Sequence, residues 1–151
     1  MESLLKTWKT NRNLYLKFFE NYTPDQLNKI PDGFNNNLIW NIGHIIVAQQ
    51  SLIYKSADLN GYLPDGMAEL YTRGTKPDGQ TSATACEELK GLLMSLVDKT
   101  VEDVRKGVFT TFHERTTQTG FHLATLEDAL HFNNYHEGLH LGYMMSIRKF
   151  V

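Results

Sequence analysis

Apolar residues recur every three or four positions in four long segments of the chain, and this period predicts α-helices. The first segment has one aromatic-rich stripe, which is typical of a helix with a single buried face. The third segment opens at Thr81 and stops near Gly107, and the fourth begins at Thr125 and runs to about Lys149. Four long helices with three connections predict an all-α fold, a four-helix bundle. The stripe of the first helix comprises Leu4, Leu5, Trp8, Tyr15, Phe18, Phe19 and Tyr22.

The second predicted helix, roughly Asn37 to Ser56, is apolar on most of its sides. A surface helix would be polar on one face, so this one is expected either in the centre of the bundle or in a subunit interface. Large apolar residues also mark one flank of the last helix, where we expect them to be exposed. Such a surface indicates a homodimer. The flank comprises Phe132, Tyr135, Leu139 and Phe150.

The two connections between the second, third and fourth helices are long. Residues 57–80 are rich in glycine and proline, with one short helix predicted over Met67 to Tyr71. A connection of this length in a small domain is either mobile or functional. The stretch from Val108 to Ala124 is rich in threonine and is expected to form a loop or a short hairpin.

Length and composition limit the classes of protein to consider. With 151 residues, of which 41% are hydrophobic, the chain is expected to form one domain spanning 1–151. Its formal net charge of −2 leaves no basic excess for nucleic acid. A single cysteine, Cys86, fits a reducing compartment. Neither a signal peptide nor a membrane span is recognisable, so we expect a cytoplasmic protein without a membrane partner.

Three of the six histidines carry the candidate chemistry. His136 and His140 lie four residues apart, which places both imidazoles on one face of the last helix. His44 lies midway along the apolar second helix, where an unpartnered imidazole would be costly to bury. Three neutral imidazoles with one free position form the catalytic type of zinc site, and the same donors suit nickel or iron. For a single core histidine, hydrogen-bonded packing remains the more common role.

The string His136-Glu137-Gly138-Leu139-His140 also matches the H-E-x-x-H signature of zinc proteases. The extended form of that signature needs a glycine at position 143 and a histidine at 146, where this chain has Tyr143 and Ser146. We therefore reject the protease interpretation.

Two segments resemble the DinB-like superfamily of small metal-binding four-helix bundles, which includes proteins of the YfiT type. Residues 40–45 read WNIGHI and resemble the tryptophan–glycine–histidine segment of the family. Residues 134–143 read NYHEGLHLGY and resemble its H-E-x-x-H-x-G segment. The family commonly has glutamine after the last glycine, where this chain has Tyr143. The resemblance implies that His44, His136 and His140 bind one divalent metal ion.

The resemblance also limits the classes of reaction to be expected. Members with assigned activities include transferases and isomerases that use low-molecular-weight thiols such as mycothiol, bacillithiol or glutathione, and the YfiT type is described as a metal-dependent hydrolase. We therefore expect a metal-dependent enzyme that acts on a small-molecule substrate, either a thiol S-transferase or a hydrolase. The expected cofactors are a divalent ion (zinc, nickel or iron) and a low-molecular-weight thiol. The alternative is a non-catalytic dimeric bundle in which the metal braces the fold.

Four further residues are candidates for roles near the metal. Glu137 directly follows a ligand and is a candidate general base, although a solvated glutamate paired along the helix fits the pattern as well. Asn133 could orient a ligand or bound water, and Tyr143 could form part of the site wall. Arg73, in the long connection, could contact an anionic group of the substrate, but a solvated arginine is the simpler interpretation.

Overall fold

The computed structural model describes residues 1–151 and has six α-helices, two 3-10 turns and one small hairpin. Four of the helices are long, as the apolar period predicts, so the all-α prediction is confirmed. The helices are α1 (Glu2–Asn21), α2 (Pro24–Asn28), α3 (Leu38–Ile53), α4 (Met67–Tyr71), α5 (Ala83–Arg105) and α6 (Leu126–Ile147). The 3-10 turns are Lys55–Ala57 and Arg148–Phe150, and the hairpin pairs β1 (Arg115–Thr116) with β2 (His122–Leu123).

Side chains that accept backbone hydrogen bonds set the starts of α3 and α6, the two helices that carry the clustered histidines. The Asn37 side chain accepts from the Trp40 amide at 2.8 Å and begins α3. Thr125 and Asp128 form a reciprocal capping box at the start of α6. These caps satisfy amide groups that have no partner within the helix. The histidine-bearing helices α3 and α6 therefore begin at defined residues.

Contacts between α1 and its neighbours show the directions of the helices. Lys9 contacts Asp98, and Glu2 contacts Arg105, so α1 and α5 are antiparallel. The Asn134 amide donates to the Leu4 carbonyl at 3.2 Å near the start of both α1 and α6. Because α1 contacts α6 further along both helices as well, these two helices run in the same direction.

Helices α3 and α5 are neighbours that run in the same direction. Gln49 donates to Thr100 at 2.9 Å, and Tyr54, immediately after α3, donates to Asp103 at 2.8 Å. Residue numbers therefore increase in the same direction along both helices. A chain that leaves one end of α3 must return along the bundle before it can begin α5. This return is the physical reason for the long connection over 54–82, which contains α4.

Helix α3 lies in the centre of the fold. Fourteen of its 16 residues are buried within the single chain. It packs against α5 and α6 on two sides, and α2 and α4 cover the rest. The structure therefore selects the bundle centre over the subunit interface, and the apolarity of α3 is no argument for a dimer.

The connection between α5 and α6 folds back onto α6. Its hairpin places Phe121 against Phe132 and Tyr135, with ring centroids 5.2 and 5.1 Å apart. Leu123 of the hairpin is buried. Among the helices of the protein, none combines the length and the apolar character that crossing a membrane requires.

Candidate metal centre

The three histidines singled out by the sequence meet in the structure. One nitrogen of each of His44, His136 and His140 lies within 4.8 Å of those of the other two. The ring centroids are 5.3 Å apart for His44 and His136, 4.8 Å for His44 and His140, and 4.6 Å for His136 and His140. Two distant parts of the chain thus present imidazoles to one point.

The antiparallel packing of α3 on α6 creates this cluster. His136 and His140 are separated by one turn of α6, so their rings lie side by side along the helix. His44 lies in the middle of α3, and its ring contacts both of theirs. The three rings therefore meet inside the bundle, between α3 and the face of α6 that packs on it.

His44 is held by the segment at the end of α4. Its Nδ1 lies 2.8 Å from the carbonyl oxygen of Tyr71, and its ring stacks on Trp40 with centroids 4.9 Å apart. A carbonyl oxygen only accepts, so Nδ1 carries the proton and Nε2 keeps its lone pair. Gly43 permits this arrangement, because a Cβ at that position would lie 2.3 Å from the Tyr71 ring.

His140 is oriented by Asn41 of α3. Its Nδ1 lies 2.8 Å from the Asn41 side-chain oxygen. The Asn41 amide nitrogen donates to the Asn37 carbonyl at 2.7 Å and to Asn36 at 2.9 Å, which fixes the orientation of the amide group. Nδ1 of His140 is therefore the donor, and its Nε2 also keeps a lone pair.

His136 has no such partner. Its ring stacks near Phe132 at 6.0 Å between centroids, and its Nδ1 is buried without a hydrogen bond. A buried polar atom left without a partner costs about 1–3 kcal/mol. An ion or a water molecule bound to this nitrogen would supply the missing partner.

All three imidazoles are held in the neutral form. Burial lowers the pKa of His136 to about 4 and that of His140 to about 3, and the charges of neighbouring histidines add to both effects. The pKa of His44 is also lowered, chiefly by burial. Neutral imidazole is the form that binds metal ions.

The donor set fits a divalent ion. His44 and His140 each present one free lone pair, and His136 has a buried nitrogen in need of a partner. Metal–nitrogen bonds are ~2.0–2.1 Å long, so rotations that move the rings by on the order of 1 Å bring the three nitrogens within reach of one ion. Carbonyl and amide oxygens behind two of the rings fix their tautomers, as in many metal sites.

A surface pocket opens beside His140. It has a volume of about 330 Å³. Leu139 and Tyr143, which help to line it, are 54% and 38% exposed, so the pocket opens to solvent. A small molecule can therefore approach the cluster from this side. The lining residues are Asn36, Asn41, Leu139, His140 and Tyr143.

Glu137 is neither solvated nor joined to the histidines, contrary to both sequence-based interpretations. It is fully buried, and its carboxylate accepts two hydrogen bonds from Arg12 at 2.8 and 2.9 Å. Trp8 and Asn133 donate to the same carboxylate at 2.8 and 2.9 Å. The side chain follows the core stripe of α6 toward α1, whereas the histidines face α3. This geometry removes Glu137 from consideration as the general base.

The other candidate residues also have defined places. Asn133 supports Glu137 and has no hydrogen bond to a histidine. Tyr143 lies at the wall of the pocket, as expected, and packs edge-on against Phe34 with centroids 5.6 Å apart. Cys86, the single cysteine, is buried.

The remaining three histidines are not part of the cluster. His113 contacts Asp58 at 2.5 Å, and His122 lies 3.4 Å from Glu114. Both are exposed, as is His131 on α6. Neither His113 nor His122 lines the pocket beside His140.

Sequence reasoning missed Arg12, Asn41 and Tyr71. Arg12 lies on the buried stripe of the first helix between Trp8 and Tyr15, and a charge at such a position signals a buried partner. Asn41 interrupts the apolar second helix three residues before His44, which is also a readable signal. Tyr71 acts through its backbone carbonyl, and no sequence pattern marks such a role.

The fold and the cluster together define a class, the four-helix bundles with three histidines that converge between two helices. The family model described as the DinB superfamily matches residues 7–144 of this chain. The chain therefore belongs to the DinB superfamily, and the resemblance read from the two motifs is confirmed. Among curated proteins, none matches the chain.

Proposed function

We propose that this protein is a metal-dependent enzyme acting on a small molecule, with His44, His136 and His140 holding the ion. The observation that carries the proposal is the convergence of three neutral imidazoles beside an open pocket. A structural metal site is closed by four protein ligands, whereas a catalytic one keeps a position for water or substrate. The three histidines form the only such cluster of potential ligands in the structure.

A divalent ion bound by three neutral ligands lowers the pKa of a coordinated water or thiol toward ~7. The chain's own residues orient the ligands, because Tyr71 and Asn41 hold the rings of His44 and His140. Trp40 covers one face of His44 and limits the access of water there. The wall made by Leu139 and Tyr143 offers apolar contact to the substrate.

Between the two reaction classes, we favour transfer of a low-molecular-weight thiol. Glu137 is committed to Arg12, the cluster of potential ligands contains three histidines and no carboxylate, and none lines the pocket beside His140. The site therefore offers no general base beside the cluster. A free thiol has a pKa near ~8.5, so on a bound metal ion it would lose its proton without the help of a general base. Water starts from a far higher pKa and would depend more on such a base. Hydrolysis is the second candidate.

The alternative is a dimeric module that binds metal without catalysis. Exposed apolar residues on α6 and on the 3-10 turn that follows it support a second copy of the chain as partner. Tyr135, Leu139 and Phe150 are 48%, 54% and 56% exposed. Phe132 is partly buried under the hairpin and contributes less than its position in the sequence suggests. Sedimentation velocity of the full chain would test the dimer, and a monomer at micromolar concentration would contradict it.

Metal analysis of the purified protein tests the ligand set. We expect about one ion per chain, and we expect His44→Ala, His136→Ala and His140→Ala each to lose most of it. His131→Ala is the matched control, because His131 is exposed on the same helix as two of the ligands. Equal metal content in the control and in all three variants would contradict the proposal.

A thiol-binding measurement distinguishes the proposed metal-dependent enzyme from the non-catalytic metal-binding module. We expect cobalt- or nickel-loaded protein to develop a charge-transfer absorption band when a low-molecular-weight thiol is added. A closed structural site would show no band even at saturating thiol. Under that outcome, thiol transfer would be abandoned, and hydrolysis would have to be tested with an activated ester or amide.

A further inference from the structure

A surface groove between α1 and α6 is the largest feature that the metal centre does not use. It has a volume of about 290 Å³, and none of its lining residues lines the pocket beside His140. The α1 side of the groove is one face of that helix, because its residues are spaced by three and four positions. The groove is lined by Leu14, Lys17, Phe18 and Tyr22 on the α1 side and by Met145 and Arg148 on the α6 side.

The surface of this α1–α6 groove is mainly apolar. The rings of Phe18 and Tyr22 stack one turn apart, with centroids at 5.8 Å, and Phe18 is buried. Leu14 and Met145, one from each side, are 41% and 45% exposed. Covering such side chains removes apolar surface from water, which is favourable. The groove therefore offers an apolar molecule a place between two helices.

Two cations line the same groove, and no acidic side chain does. Lys17 belongs to α1, and Arg148 belongs to the turn after α6. Neither takes part in any ion pair of the structure. The chain as a whole has a formal net charge of −2, so the positive charge is a local property of the groove. A ligand complementary to this surface has an apolar body and a negative group.

The size and charge of the groove favour a small molecule over a larger partner. Between Leu14 and Tyr22 the helix rises by about 12 Å, which is the length of a short aliphatic chain. Segments that bind anionic membranes carry about four to eight cations, whereas this groove has two. A symmetric contact of two copies would bring both pairs of cations into one interface without an acidic residue from either groove.

We propose that the α1–α6 groove binds a small amphipathic anion, namely a carboxylate with an aliphatic chain about as long as the groove. The chain lies on Phe18 and Tyr22, between Leu14 and Met145, and the carboxylate pairs with Lys17 and Arg148. A guanidinium can bind a carboxylate through two parallel hydrogen bonds. This site goes beyond the function proposed above, because it uses none of the metal-binding histidines.

Titration calorimetry of the full chain with octanoate tests the proposal. Octanol has the same chain without the charge, and acetate has the charge without the chain, so we expect both to bind more weakly than octanoate. Combining Lys17→Gln with Arg148→Gln should raise the dissociation constant of octanoate about five- to tenfold. Binding of octanol should not change in this double variant, which also shows that the apolar part of the groove is intact.

Lys149→Gln is the matched control, because Lys149 is an exposed cation next to Arg148 that does not line the groove. It should leave octanoate binding unchanged. Met145→Glu places a negative charge in the groove and should weaken octanoate binding at least as much as the double variant does. Added salt should lower the affinity for octanoate and leave that for octanol unchanged, since exposed charges are screened.

Three results would overturn the proposal. One is the absence of octanoate binding at millimolar concentration, or equal affinity in the double variant and in Lys149→Gln. Another is a change of oligomeric state in Met145→Glu by sedimentation velocity, which would make the groove an interface between copies. The third is binding to phosphatidylglycerol vesicles without binding of octanoate, which would make it a contact with a lipid surface. The metal site would stand in each case, because metal analysis tests it separately.

Discussion

Arg12 of α1 and Glu137 of α6 form an ion pair with no solvent exposure on either side chain, 2.8 Å from nitrogen to oxygen. Glu137 directly follows one candidate metal ligand and lies three residues before the other. The pair thus determines which side of α6 faces α1. Because the rotation of the helix about its axis is then set, the same pair determines that His136 and His140 face α3.

The first prediction concerns this ion pair. Removing one partner of a buried pair leaves a buried charge, so Glu137→Gln should lower the free energy of unfolding by about 3–5 kcal/mol. Urea denaturation measures the change. Glu88→Gln, at an exposed position of α5 without an ion pair, is the control and should alter stability by less than ~0.5 kcal/mol.

A double variant distinguishes the effect of an unpaired buried charge on stability from the effect of altered packing. Arg12→Met combined with Glu137→Leu removes both charges and keeps apolar volume, so it should recover much of the lost stability. If it is as unstable as Glu137→Gln, the loss would come from packing or from the hydrogen bonds of Trp8 and Asn133.

The second prediction concerns the orientation of His140 by Asn41. Asn41→Leu removes the acceptor of the His140 N–H, so zinc affinity should fall by about 10–100-fold. Competition with a chromogenic chelator measures the affinity. Asn41→Asp keeps an oxygen at this place and should retain tighter binding than Asn41→Leu. Equal affinities in these two variants would mean that the hydrogen bond does not position the ligand.

The third prediction concerns the close approach of Tyr71 to Gly43. A Cβ added at Gly43 would lie 2.3 Å from the ring, so Gly43→Ala must displace Tyr71 and the carbonyl that holds His44. We expect a loss of about 1–3 kcal/mol in stability together with weaker zinc binding. Calorimetry with and without zinc measures both effects.

Gly138→Ala is the control for that substitution, because nothing lies within 4 Å of a Cβ at this exposed helical position. It should stabilise the protein by about 0.5–1 kcal/mol through helix propensity alone. A destabilisation of the same size as that of Gly43→Ala would show that the close contact is not the cause.

The fourth prediction concerns the pH dependence of the metal-free protein. In the unfolded chain the imidazoles titrate near 6.5, whereas in the folded protein burial lowers the pKa of His136 to about 4 and that of His140 to about 3. Below pH 6.5 the unfolded state therefore binds more protons than the folded state. Stability is present above pH 6.5 and should decline as the pH falls toward 4, by up to about 1.4 kcal/mol per pH unit for each histidine.

Urea denaturation at several pH values after treatment with chelator measures this slope. His140→Gln lacks one of the titrating groups, so its slope between pH 6 and 4 should be smaller by up to one proton. An unchanged slope would show that His140 is charged in the folded protein. Zinc should steepen the acid loss of the unaltered protein, because protons compete for the same nitrogens.

The prediction of the helices succeeded because each depends on local sequence. The apolar period and the caps, such as Thr125 with Asp128, are properties of neighbouring residues. His136 and His140 could be paired for the same reason, since four residues of one helix determine their separation. The place of Glu137 could not be predicted in this way, because its partner Arg12 belongs to a helix at the other end of the chain.

The sequence by itself determined four long helices, the family and the three histidines that belong together. Only the tertiary structure decided that α3 and α5 run in the same direction and that Asn41 and Tyr71 orient the imidazoles. The physical reason is that helical periodicity states which residues share a face. Which face meets which neighbour depends on the order, direction and rotation of helices, and these follow from contacts between residues far apart in the chain.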